Sequence, residues 1–493
     1  MSLLPMRNGA SIATREIPEL RVDAWRDTLL DAVAAGARVV ALWASPPARG
    51  KRHLTAVLAR DASSALSLTR VPLPGEAFPS LANECPEVAL FEREIAEQSG
   101  IRPEGHPSLQ PVRFSRPDGP PAGCARFHRV EGPEVHEVAV GPVHAGVIEP
   151  GHFRFQCHGE RVLQLDLALG YQHRGVEAGI VSGTAKRRIH YVETAAGDTT
   201  IGHATAFCEA IESLAGASVP PRGQALRAVA LELERLANHT GDLGALAGDV
   251  GFQPTAAFCG RLRGEWLNLT AELCGNRFGR GLVRPGGSAF DVEPARIDRM
   301  IARLDAAMRD LRSSVDLLWG SPSVLARFEG TGSLAEERAR EIGLVGPAAR
   351  ACGLARDVRL DHPTGMFRFA QVPIARWRSG DVFARAWVRW LEIERSADFV
   401  RDQLRSLPGG SARVSVAPAL AFDRLCVSLV EGWRGEICHV AETDGSGGLC
   451  HYKIVDPSFH NWPGLSLAMR GQPISDFPLC NKSFNLSYCG FDL

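Results

Sequence analysis

No Cys-x-x-Cys pair occurs anywhere in the 493 residues, although twelve cysteines are present. They lie at positions 85, 124, 157, 208, 259, 274, 352, 426, 438, 450, 480 and 489. That scatter fits no zinc, iron–sulfur or thioredoxin spacing and reads as reduced, buried thiols. No uninterrupted apolar run approaches the roughly 18 residues that span a bilayer. The start, Met1-Ser-Leu-Leu-Pro-Met-Arg7, lacks the apolar core and cleavage pattern of a signal peptide. The expectation is a cytoplasmic chain whose contact with a membrane comes through partners. There is no Gly-x-Gly-x-x-Gly and no P-loop, which argues against binding NAD or a nucleotide. A net charge of −1 argues against a nucleic-acid partner. Tyrosine is scarce, with four in the whole chain.

The length allows two or three domains with substantial cores. In the first ~125 residues, a helical stretch from Ala24 to Ala35 precedes the apolar strand Arg38–Trp43. Further strands are expected at His53–Leu58 and Ala65–Thr69, then a helix around Pro86 to Ser99. The Pro/Gly-rich run Arg116-Pro-Asp-Gly-Pro-Pro-Ala-Gly123 reads as a linker. Beyond it a hairpin is expected, with Phe153, Phe155 and Cys157 alternating on one strand and Leu163, Leu165, Leu167 and Leu169 on the return. His158-Gly-Glu160 makes its turn. Residues 223–246 read as a long helix burying Leu226, Val229, Leu233 and Leu236. Helical patterns recur near 257–274, 292–318 and 378–405, and the last ~80 residues mix short strands with loops.

Three constellations carry ionisable side chains. His173-Arg174-Gly175-x-Glu177 packs three into five residues, which is costly in a core unless they are paired. It serves either as a structural Arg–Glu pair or as a proton-active cluster. On the long helix, Glu232, Arg235 and His239 share one face at i, i+3 and i+7. They read either as a salt bridge with a satisfied histidine or as a functional set. The third runs through Arg350, Asp357 and Arg359, then Asp381, Arg385, Arg389 and Glu392, a density typical of a solvated or salt-bridged face. Arg284-Pro-Gly-Gly287 reads as a turn with an anchoring arginine.

The His-Arg-Gly-x-Glu element, the stretch Tyr191-Val-Glu-Thr-Ala-Ala-Gly-Asp-Thr-Thr-Ile-Gly-His203 and the terminus Ser483-Phe-Asn-Leu-Ser-Tyr-Cys-Gly490 together resemble one superfamily. It comprises the large subunits of membrane-bound nickel–iron hydrogenases and the C and D subunits of respiratory complex I. The first ~125 residues, closing on Gly105-His-Pro, are similar to the C subunit, and the D-subunit resemblance begins at Gly141. The resemblance implies an α+β chain: a small α/β domain at 1–125 fused, over 126–493, to a mainly α-helical large-subunit-like domain. That second domain has a β-hairpin entry and a mixed carboxy-terminal part.

The hydrogenase branch holds nickel with two Cys-x-x-Cys pairs. Aligning Glu193 and His203 with its loop puts Ala196 and Thr199 at the first pair and Ser487 and Gly490 at the second, with Cys489 one residue out of register. Ala and Gly offer no ligand and neutral hydroxyls are poor soft-metal donors, so no nickel or other metal site is expected. The complex I branch reduces quinone with a hairpin-loop histidine and a loop tyrosine. Here His144 is offset by one residue and the tyrosine position falls near Gly197.

The resemblance therefore implies a peripheral subunit at the inner face of the cell membrane. Its partners would be an iron–sulfur small subunit, which carries the clusters, and membrane subunits of complex I or antiporter type. The candidate proton-active and electrostatic residues are His173, Arg174, Glu177, Asp198, His203, Arg235 and His239. His144 and His203 are candidates to line a quinone pocket. The alternative is a non-catalytic coupling scaffold.

Overall fold

The computed structural model describes residues 2–45, 52–73, 75–114, 121, 126–144 and 148–493. The segment read as a linker, and with it the 125/126 boundary, lies largely outside them. Near the amino terminus four antiparallel strands form a sheet in the order Leu4–Met6, Ala65–Leu73, Arg52–Arg60, Arg38–Ala44. The strand Arg38–Ala44 is buried through Trp43, as expected where both faces are covered. Helix Ala89–Ser99 packs against it.

The amino terminus does not stand apart from the rest. Strand Ser11–Ala13 pairs with Arg424–Cys426 and completes a second sheet in the order Leu449–Val455, Gly435–Thr443, Arg424–Gly432, Ser11–Ala13. Strand 449–455 is the far edge of that sheet, and helix Val176–Ser182 covers it.

The helical core is built on Pro221–Asp249, flanked by Thr200–Leu214, Gln253–Cys274 and Val382–Arg405, with Pro294–Trp319 outside. The long helix starts with Pro221 at its first position, where the missing N–H is no loss. Its burial extends well beyond the expected stripe. Glu232, Arg235 and His239 are as buried as Leu226, Val229, Leu233 and Leu236, and Glu234 and Asn238 are buried too, because neighbouring elements enclose the helix.

The hairpin is present at His152–His158 and Arg161–Ala168, with Val135–Val140 as a third strand. A bulge between Val162 and Gln164 breaks the expected alternation on the return. Val162, Leu165 and Ala168 are buried there, while Leu163 and Leu167 are only half-buried. Ten of the eleven described cysteines are buried and Cys450 is exposed. Among the described residues no helix is long and apolar enough to cross a membrane.

Gly346 seats the turn that carries Arg350 against the 432–435 hairpin. Its φ is +65°, and an added Cβ would lie 2.1 Å from the Arg434 carbonyl oxygen. Gly36 has φ +87° but open space around it. Gly36→Ala should therefore cost about 1–2 kcal/mol, from the left-handed backbone alone. Gly346→Ala should cost about 3 kcal/mol or more, from strain plus overlap. Equal urea midpoints for the two variants would contradict this packing.

Candidate functional site

Four segments meet at one rim: the hairpin approach at 141–144 and 148–151, the 171–175 loop, the 194–199 loop and the carboxy terminus at 485–492. Arginines clasp them. Arg174 donates to the carbonyls of Thr194 (2.7 Å), Ala195 (2.9 Å) and Cys489 (3.4 Å). Arg434 donates to both Asp198 carboxylate oxygens (2.5 and 2.8 Å) and to the Asn485 carbonyl (2.5 Å). His173 Nδ1 donates to the Asp492 carbonyl at 2.8 Å, and His144 Nε2 to the Gly151 carbonyl at 2.8 Å. His144, His173, Arg174 and Asp198 thus share the rim. Glu177 turns away from it, one helical turn on, toward Lys453 at 3.0 Å.

Beneath the rim runs a buried hydrogen-bonded row. His203 Nε2 is 3.0 Å from Asp456 Oδ2, His203 Nδ1 is 3.0 Å from His439 Nε2, and His439 Nδ1 is 2.7 Å from the Tyr452 hydroxyl. Asp456 also caps helix Pro457–Ala468 by accepting from the Ser458 amide. Burial, with His203 adjacent, holds His439 well below the usual histidine range. One proton arrangement satisfies every member. Tyr452 donates to His439 Nδ1, His439 Nε2–H donates to His203 Nδ1, and His203 Nε2–H donates to Asp456. Such a row can pass a proton from end to end by bond reversal.

A second network fills the helical core. Arg350 reaches one Glu392 oxygen through Nε (3.0 Å) and Nη2 (2.6 Å), and reaches Glu431 through Nη1 (2.8 Å). The other Glu392 oxygen accepts from His239 (2.9 Å) and Arg235 (3.4 Å). Arg235 continues to Glu232 (3.0 Å), which Arg359 joins to Asp357. Burial alone would raise Glu392, but Arg350, His239 and Arg235 outweigh it and hold it well below the usual carboxylate range. Glu431 is pushed up to about 7 by burial and by Asp357. Arg385 and Arg389 are buried too, so of the two readings of the 350–392 block, solvated or salt-bridged, the structure shows the salt-bridged one, turned inward.

The model for the respiratory-chain NADH dehydrogenase 49 kDa subunit matches residues 249–424. The chain is 32% identical to the carbon monoxide-induced hydrogenase of Rhodospirillum rubrum over 351 residues, 71% of this chain and 97% of that one. It is 30% identical to formate hydrogenlyase subunit 5 of Escherichia coli over 441 residues, 83% of this chain and 76% of that one. It is also 30% identical to D-subunit 1 of the NADH-quinone oxidoreductase of Opitutus terrae over 273 residues, 55% of this chain and 64% of that one. The chain belongs to this family of complex I 49 kDa and hydrogenase large subunits.

A nickel–iron centre of the family's hydrogenase branch needs thiolates, and the residues here do not fit one. Thr199 Oγ1 accepts from Trp433 Nε1 at 3.1 Å and Ser487 Oγ from the Gly490 amide at 2.9 Å, while Ala196 offers no donor. A Cβ at Gly490 would lie 2.7 Å from the Asp456 carboxylate. Burial pushes the Cys489 thiol up to about 11. Among the described residues no group of three His, Cys, Asp or Glu side chains is gathered as for a metal ion.

Arg284 anchors its turn as the Arg-Pro-Gly-Gly motif suggested, bound to Glu193 at 2.6 Å. Sequence reasoning missed His439, Tyr452, Asp456, Arg434 and Lys453. Only Asp456-Pro-Ser458 carries a local signal, that of a capped helix start.

Glu392→Gln should leave Arg350 and Arg235 short of a counter-charge and cost about 3–5 kcal/mol in urea unfolding. Glu341→Gln, which breaks the exposed Arg338–Glu341 pair, should leave the midpoint unchanged.

Glu234 accepts the amides of Ile201 (2.7 Å) and Gly202 (3.2 Å), and burial pushes it up to about 8 from 4.5. Its raised pKa contributes stability that is fully present below pH 4.5 and lost as pH rises through 8. Glu234→Gln should remove that share of the decline. An unaltered profile of urea midpoint against pH would refute the assignment.

Proposed function

We propose that this chain is the large subunit of a membrane-associated oxidoreductase complex whose rim forms an acceptor pocket, the acceptor being a quinone. Electrons come from iron–sulfur clusters of a small partner protein seated over that rim. Reduction of one quinone takes two electrons and two protons and yields a quinol. The observation that carries the reading is the row Tyr452–His439–His203–Asp456, buried directly beneath the rim and ending under Gly490. It supplies protons where the family's loop tyrosine is missing. His144, His173, Arg174 and Asp198 face the acceptor, Glu177 passes protons toward them from behind the 171–175 loop, and Arg235 and His239 tie the site to the core network. That network couples the redox change to ion-translocating membrane subunits of complex I or antiporter type, and the chain sits on the inner face of the membrane. No nickel takes part.

The rival is a coupling and assembly scaffold without redox chemistry. What favours it is the saturation of the core network, in which most charged groups are already paired.

The test starts from the native complex, captured through a tag on this chain. With an iron–sulfur subunit and ion-translocating subunits present, the Glu177→Gln/His173→Ala double variant should lower quinone reduction and proton uptake on the order of 10²-fold at unchanged subunit composition. Undiminished rates in the double variant would sink the redox reading. Loss of subunits without any change in rate per assembled complex would establish the scaffold.

A further inference from the structure

Lys453 is one of only four lysines in the chain and, among the described residues, the one buried ammonium. It lies on the edge strand Leu449–Val455, where three parts of the molecule meet. Helix 89–99 brings Glu94, whose carboxylate is 2.5 Å from Lys453 Nζ. Helix 176–182 brings Glu177, 3.0 Å from the same nitrogen, and that carboxylate also accepts the Ile454 amide at 2.8 Å. The loop after helix 89–99 brings Arg113, paired with Glu94 and donating to the Phe491 carbonyl at 2.8 Å. The other titratable groups that face this cluster are His451 and Tyr452 on the same strand, Cys438 on the next strand, Asp492 beside Arg113 and Arg70 beside His451.

A chamber of about 30 Å³ opens against Lys453, walled by Glu94, Glu177, Trp43 and His451, with Gln98 and Ser99 at its outer edge. Gln98 is exposed, so the chamber leads to solvent. The volume suits a water molecule or two. Two buried nitrogens on its wall residues, Trp43 Nε1 and His451 Nδ1, have no partner among the described residues. Trp43 is itself only 3% exposed. Unsatisfied buried polar atoms beside a polar, water-sized space mark a hydrated site.

Charge balance decides what the chamber does. The two carboxylates Glu94 and Glu177 face the two cations Lys453 and Arg113, so these four groups balance one another. Adding a proton to Glu177 leaves one positive charge in excess. Arg113 does not release a proton in a protein, whereas a buried lysine does so readily. Lys453 is already drawn down to about 8, chiefly by burial and by Arg113, against the pull of Glu177.

We propose that this chamber is the solvent port for protons used at the rim, and that Lys453 is the relay that hands them to Glu177. In the step, the ammonium gives H⁺ to the Glu177 carboxylate and becomes a neutral amine. Water in the chamber then returns a proton to the amine, and Glu94 holds the ammonium in place between cycles. The inference rests on the proton-active reading of Glu177 and adds its source of protons.

Two measurements test it on the full chain and on the complex. With ¹⁵N-labelled lysine, four Nζ resonances report four lysines, and Lys453→Arg assigns the buried one. It should titrate near pH 8 and move downward by a clear fraction of a unit when Glu177→Gln removes the carboxylate that favours the ammonium. In the complex, Lys453→Arg keeps the positive charge but does not release a proton. It should slow proton uptake on the order of tenfold or more while electron delivery to an artificial one-electron acceptor is kept. A purely structural lysine would be rescued by arginine. Wild-type uptake and an unshifted pH profile in Lys453→Arg, or a Lys453 resonance that stays ammonium above about pH 10, the ordinary lysine range, would overturn the relay. If Glu177→Gln also leaves uptake untouched, the proton-active reading of Glu177 falls as well. If Glu177→Gln blocks uptake and Lys453→Arg does not, only the relay falls.

Discussion

The Glu392 carboxylate, sealed from water on helix 382–405, is the group on which the core depends. An isolated carboxylate there would be expelled or neutralised, since burying a charge without partners costs several kcal/mol. It stays charged because Arg350, His239 and Arg235 converge on it from other elements. Arg350 and Arg235 use Glu392 as a counter-charge in return, so the helices 221–249 and 382–405 and the turn at 346–351 have one mutual arrangement that leaves no charge stranded. Hydrophobic packing alone would tolerate small slips between those helices; a directional ionic network does not.

That rigidity reaches the rim through a short series of contacts. Asp242 lies 3.9 Å from His239 and pairs with Arg389 at 2.7 Å. Arg389 in turn donates to the Ser483 and Phe484 carbonyls just before the carboxy-terminal segment. Arg434 then clasps that segment to the 194–199 loop. The rim and the core network are thus joined by a short, almost continuous series of charged and hydrogen-bonded neighbours.

The amino-terminal part contributes more than an accessory fold. Strand 11–13 belongs to the carboxy-terminal sheet, Arg38 binds Glu436 across it (2.6 Å), and Glu94 reaches Lys453 at its far edge. Both ion pairs place an amino-terminal charge against a carboxy-terminal one, so the site is assembled from both ends of the chain.

Periodicity and turn chemistry made the main helices and the first strands legible, because they depend on local pattern. Helix 221–249, the strand 38–44 and the Arg-Pro-Gly-Gly turn are examples. The family motifs made His173, Arg174, Glu177, Asp198 and His203 visible as candidates, because their spacing is short. The bulge after Val162 was hidden, since one extra residue leaves no compositional trace. So were His439, Tyr452 and Lys453, whose partners lie between 13 and 359 residues away. Residue type and local order came from the sequence alone. Which charges are buried together was decided only when sheet edge, helix and terminus closed on one another and excluded water.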